Sequence, residues 1–156
     1  MIAPIVYLST PSETATYQLA PVGTKRAYVD ATYGYQVYTM VKASAAIAAN
    51  RVVEWDNAID GSAAEADSNF VVAGKLAGVS QNAIASGSYG WVCCAGTCVV
   101  TTSASVAAGA AAVTKGASAS GAVDDTDFGD VEESIMGTFP VAIGSATTGA
   151  IRLAIP

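Results

Sequence analysis

Cys93, Cys94 and Cys98 stand close together in a chain that has no histidine. Thiols bind soft metals, act as nucleophiles or join as disulfides. Without histidine, a thiolate nucleophile lacks its commonest base and a Ser-His triad is excluded. A three-thiolate metal site also lacks a fourth ligand and the usual paired spacing of structural zinc. The disulfide reading depends on a turn. If Ala95-Gly96 is a two-residue hairpin turn, Cys93 faces Cys98 across a non-hydrogen-bonded pair, where side chains approach closest. A Cys93–Cys98 bridge is then sterically allowed. The competing reading is free thiols packed as small hydrophobes, which a chain made in a reducing cytoplasm favours.

The stretch from Asp124 to Glu133 holds six of the 13 acidic residues. Asp125, Asp127 and Asp130 around Gly129 offer oxygen ligands, but the spacing is not that of an EF-hand and no bidentate Glu follows at the right offset. A solvated acidic loop is the plainer reading. Gly74-Lys-Leu-Ala-Gly78 lacks the order of a phosphate-binding loop. Tyr89 and Trp91 lie two apart and share a sheet face. Core packing accounts for them; a ligand-stacking platform requires both to be exposed. These residues predict no metal, no cofactor and no enzyme.

The elements around these groups read as short strands. Tyr33–Lys42 is β-branched and aromatic, with Tyr35, Val37, Thr39 and Val41 on one face. Arg51–Trp55, Leu76–Val79, Val106–Val113, Ile135–Ile143 and Ala150–Ile155 read as further strands, and Val71–Ala73 and Val123 as fragments. The richest segment, Ile84–Thr102, reads as a hairpin through Ala95-Gly96. Asn57–Phe70, broken by Gly61, reads as a loop with at most one helical turn. Strands this short at this spacing predict an all-β fold, a small β-sandwich or β-barrel head. Residues 1–32, broken by Pro4, Pro11 and Pro21, read as an extended N-terminal arm with one short strand at Ile5–Leu8. Residues 33–156 form the head. The arm's Ile5, Val6, Tyr7, Leu8, Tyr17 and Leu19 predict docking, since disordered tails are poor in such residues.

The chain has 156 residues, 13% of them charged, with net charge −6 and a pI near 4.3. That charged share is about half the usual one, and a small-residue, low-charge surface suits close contact with other protein copies. Seven scattered Lys and Arg residues make no stripe, so neither nucleic acid nor an anionic membrane is expected as a partner. No secretory signal and no membrane-length apolar run are read in the chain. One internal echo is visible. Ser44–Val53 aligns without gaps on Ser103–Ala112, with Asn50 on Gly109, both residue types that tolerate a positive φ. The same turn, used twice before a strand, is expected.

Val41-Lys-Ala-Ser, Ala48-Ala-Asn-Arg-Val-Val53, Val72-Ala-Gly, Gly78-Val, Ile84-Ala-Ser-Gly-Ser-Tyr-Gly-Trp-Val92, the Ala95-Gly96 turn, Val106-Ala-Ala-Gly-Ala110, Gly121-Ala-Val-Asp-Asp125, Ile135-Met-Gly-Thr138 and Ile151-Arg-Leu153 follow in that order. The pattern, from Tyr35 to the C-terminus, resembles the capsid decoration (cement) proteins of tailed bacteriophages. The resemblance implies a β-rich head, usually a homotrimer, on the outer surface of an expanded icosahedral shell. It implies that the major capsid protein is the partner and that the arm lies on it. It also implies synthesis in the host cytoplasm, residence in the virion and a mechanical role against the pressure of packaged DNA. The three cysteines and the long arm depart from the pattern. The rival readings are another virion or pilus-like assembly subunit and a small carbohydrate- or ligand-binding β-module.

Overall fold

Tyr89–Thr101 is one unbroken strand, β7, and not a hairpin. The expected turn at Ala95-Gly96 is absent because the backbone there is held on both sides. Ala95 and Gly96 lie opposite Val37 and Gln36 on one edge and opposite Ala154 and Leu153 on the other. Gly96 is needed for close approach rather than for a turn: its φ is 95°, and a Cβ there would overlap the Tyr35 carbonyl oxygen. Turn residues and strand residues give the same local signal, and long-range pairing decides between them.

The computed structural model describes residues 11–57, 60–66, 75–114, 121–125, 135–144 and 147–154. The other strands are β1 (Thr14–Ala15), β2 (Lys25–Asp30), β3 (Gly34–Ala43), β4 (Val52–Asn57), β5 (Ser62–Glu65), β6 (Leu76–Ser80), β8 (Ala111–Thr114), β9 (Val123–Asp125), β10 (Ile135–Thr138) and β11 (Thr148–Ala154). The all-β expectation holds. Among the described residues no helix is long and apolar enough to cross a membrane. Ser62–Glu65 is a strand where a loop was expected, since Gly61 takes φ 67° at its entrance and Ala63 then pairs with Ala43 and Trp55. Lys25–Asp30, read from sequence as part of the arm, is an edge strand paired along its whole length with β3. Val71–Ala73 and Ile5–Leu8 lie outside the described residues.

The pairings make two rings that share β7. The first runs β3–β5–β4–β6–β7 and returns to β3, with only β3–β5 parallel. The second runs β7–β9–β8–β10–β11 and returns to β7. It closes through the parallel bridge to Val123 of Thr102, the residue that follows β7.

The rings repeat each other in register. Val52 opposite Val79 becomes Ala111 opposite Thr138, and Glu54 opposite Leu76 becomes Val113 opposite Ile135, an offset of 59 residues that keeps even the bulge between the pairs. Val79 opposite Cys93 becomes Thr138 opposite Arg152, and Lys42 opposite Tyr89 becomes Thr101 opposite Thr148, at the same offset. One residue is inserted before β9, so Ala43–Ala63 becomes Thr102–Val123. The echo seen at Ser44 and Ser103 is therefore the start of a five-strand repeat. The turn equivalence holds too: Asn50 has φ 61° and Gly109 φ 81°.

The cores repeat as well. Val41, Ile47, Val53, Ala77, Ile84 and Val92 fill the first ring. Their counterparts Val100, Val106, Ala112, Met136, Ile143 and Ile151 are buried in the second cluster. In each ring an isolated bridge ties two loops over one end, Ile47 to Ile84 and Val106 to Ile143. Strands of the first ring are buried on both faces: Met40, Val52 and Trp91 belong to the second cluster, while their neighbours Val41, Val53 and Val92 point into the first ring. Alternation along the strand thus feeds two cores at once.

Candidate assembly surface

The three cysteines are free and buried. Tyr38 lies opposite Cys93 but Val37 lies opposite Ala95, so Cys94 is an extra, bulged residue. The bulge shifts the alternation by one and brings Cys93 and Cys98, five apart in sequence, to the same face. The Cys93 thiol donates to the Ala95 carbonyl at 3.4 Å. A hydrogen bond with Cys93, then burial, pushes the Cys98 thiol well above the usual range. Burial pushes Cys94 up. Both are protonated near neutrality, the reverse of what a nucleophile or metal ligand needs. Among the described residues no group of His, Cys, Asp or Glu is arranged to hold a metal ion.

Beside the thiols the Tyr38 hydroxyl donates to Gln36 Oε1 at 2.9 Å, and Gln36 Nε2 donates to the Thr97 carbonyl. Burial, with smaller contributions from Cys93 and Cys98, raises the Tyr38 hydroxyl above its ordinary value. These are satisfied structural hydrogen bonds. They back a shallow pocket of about 290 Å³ whose walls include Pro11, Ser12, Tyr28, Asp30, Gln81 and Asn82.

Trp91 is buried, with the Arg26 guanidinium carbon 5.1 Å from its ring centroid, and Tyr89 is half-buried. A stacking platform on this pair is overturned, because the indole face is already taken by a cation. Of the acidic run, Asp124 is buried and accepts from the Ser103 hydroxyl at 2.8 Å. Asp127 and Asp130 lie outside the described residues, as do Ile5, Val6, Tyr7 and Leu8. Tyr17 is 67% exposed, and Leu19 packs against the second core cluster.

The structure adds residues that the sequence reading passed over. Val29 and Tyr35 lie directly opposite each other on β2 and β3 and are 72% and 64% exposed. Among the described residues, Tyr28 and Val141 are the other large exposed apolar side chains apart from Tyr17. The β2–β3 turn was readable. The Asp30 carboxylate accepts from the Thr32 and Tyr33 amides at 2.7 and 2.9 Å, and Gly34 takes φ 74°. An Asp four residues before a Gly, between two β-branched runs, is turn chemistry. Among the described residues β2 is also an edge, paired on one side only. Exposed apolar side chains on an open edge are what contact with other chains uses.

No family model and no curated protein matches the chain. A solved structure does: the head fiber gp8.5 N base of bacteriophage phi29, with 15% identity and a TM-score of 0.56, over 76% of this chain and 94% of that one. At that identity the likeness is one of fold.

Proposed function

We propose that this chain is a non-enzymatic structural protein attached to the outside of a phage head, in the manner of a capsid decoration (cement) protein. The observation that carries the reading is the fold shared with a phage head fiber base along nearly the whole of that chain. The sequence resemblance to decoration proteins points to the same place on a virion. The local chemistry is compatible: protonated buried thiols, an indole covered by Arg26 and apolar side chains turned outward on an open edge.

In this reading the head packs against the shell with its partner copies, as a homotrimer, and the N-terminal arm holds a neighbouring subunit. Binding only the expanded shell stabilises that state by mass action, and repetition over a symmetric lattice multiplies a modest energy per site. The test is co-sedimentation of the purified chain with compact and expanded empty heads of the phage that carries it. Saturable binding to expanded heads, at a fixed ratio to coat protein, is expected. Absence of binding to either form refutes the proposal.

A further inference from the structure

The two rings match strand for strand but differ in what lies on their edges. On the first ring β1 pairs with the start of the closing strand, Thr14 opposite Gly90 and Ala15 opposite Tyr89. The corresponding positions on the second ring are Gly149 and Thr148 of β11, which lie opposite Val100 and Thr101. Among the described residues β11 pairs only with β7 and β10, and no counterpart of β1 lies on it. Gly90 beneath β1 is buried, whereas Gly149 is half-buried and Thr148 exposed. On the first ring Gln81 and Asn82 line one pocket together with Pro11 and Ser12, just before β1. Their counterparts are Pro140 and Val141, and Val141 is 57% exposed.

The chain's own N-terminus cannot serve both positions. From Gly90 to Val100 is ten residues, one of them the bulged Cys94, so about nine rungs of strand, roughly 30 Å. From Thr14 back to Leu8 is six residues, at most about 21 Å when fully stretched. An N-terminal strand on β11 therefore comes from another molecule.

We infer that Ile5–Leu8 of a neighbouring copy adds as a short antiparallel strand to the free edge of β11 at Thr148–Gly149, with its apolar side chains against Val141. The same N-terminal stretch already supplies β1 to the first ring. Ile-Val-Tyr-Leu is β-branched, aromatic and apolar, and main-chain hydrogen bonds carry this mode of recognition. The contact is head-to-tail, segment of one copy to slot of the next, so it closes into a ring if the rotation allows. The inference deepens the proposed function and gives Ile5–Leu8 a second copy as partner in place of the coat protein.

Two full-length variants, Val6→Cys and Thr148→Cys, mixed and mildly oxidised, test it; the native thiols are buried. The expected product is a linked peptide pair carrying positions 6 and 148, formed between two chains. It should be absent when exposed Ala108→Cys replaces Thr148→Cys. Deleting residues 1–10 should lower the sedimentation mass toward that of one chain and leave the melting temperature unchanged. A mixture without the linked pair, an unchanged mass after deletion, or linkage of position 6 to coat protein on heads overturns the inference. Linked chains that fail to bind heads would refute the proposed function and leave this contact standing. Head binding without the linked pair would do the reverse.

Discussion

The side-chain amide of Gln81 forms two hydrogen bonds with the backbone of Val99: Nε2 donates to the carbonyl at 2.9 Å and Oε1 accepts from the amide at 3.0 Å. On the first ring the equivalent residue is Met40, and there the same two bonds come from main chain, Gly23 donating to it at 2.8 Å and Thr24 accepting from it at 3.0 Å. One carboxamide on the second ring thus stands in for the main chain that leads into β2 and covers the first. Gln36, donating to Thr97, and the Asn50 carbonyl, accepting from Thr101 at 2.8 Å, complete the cover. The edge of β7 that β3 leaves open is closed without another strand.

Gln81→Leu keeps the volume and removes both bonds, leaving a partly buried amide and carbonyl unpaired. Each such loss costs about 1–3 kcal/mol. Urea unfolding should show a fall of at least about 2 kcal/mol with an unchanged slope, and wild-type stability in this variant would contradict the role given to the amide.

Gly137→Ala should destabilise strongly, because a Cβ there would overlap the Arg152 carbonyl oxygen. Backbone cannot give way as a side-chain tip can, so a loss of about 2–3 kcal/mol is expected. Gly78→Ala on the first ring meets the Cys93 carbonyl in the same way, whereas Gly144→Ala has nothing within 4 Å and should be neutral. Thermal melts of the three variants check the ordering.

Stability should decline in alkali. Cys94 and Cys98 are raised in the folded protein, chiefly by burial for the first and by the hydrogen bond with Cys93 for the second. Below about pH 8.5, the ordinary thiol value, folded and unfolded chains both keep these protons and stability is level. Above it the unfolded thiols ionise first, so the unfolded state is favoured as pH rises toward the folded values. Tyr38 adds to the loss above about pH 10, since its hydroxyl is also raised. Urea midpoints at pH 7, 8 and 9.5 should be flat and then fall. A midpoint that rises with pH would mean the thiols are stabilised as thiolates.

The strands of this fold were legible because their side chains are. Tyr35–Val41, Val52–Trp55 and Ala150–Leu153 carry β-branched and aromatic residues in runs of strand length. The ring topology was not, because Ala95-Gly96 looks like a turn until β3 and β11 are both seen to pair with it. The repeat was half visible. Ser44–Asn50 and Ser103–Gly109 retain their turn residues, but elsewhere the rings conserve register and apolar character rather than identity or size, as in Val92 and Ile151 or Ala77 and Met136. The cysteine face was hidden by the bulge at Cys94, which no spacing rule gives. The open apolar pair Val29 and Tyr35 was missed because Lys25–Asp30 sits among prolines and short polar stretches that read as arm.

Sharing β7 should make the two rings unfold as one. Its first half closes the first ring and its second half opens the second, so neither ring keeps its pairings once the other frays. Trp55 on β4 packs against the first-ring core, whereas the Trp91 side chain lies in the second cluster with Ile143, so the reporter is Trp55 in a Trp91→Phe background. Ile143 lies in the second ring and bridges to Val106 there. Ile143→Ala removes buried methylenes and should cost about 2–4 kcal/mol. If the rings are coupled, Trp55 fluorescence in the first ring should report the whole of that loss, coincident with far-UV circular dichroism in a single transition. Were the rings independent, the fluorescence midpoint would stay at its value in that background while the dichroism split into two steps. Ile84→Ala, the same change in the first ring, supplies the reference. It should move both signals together, and by somewhat more, since Ile84 is 1% exposed and Ile143 7%.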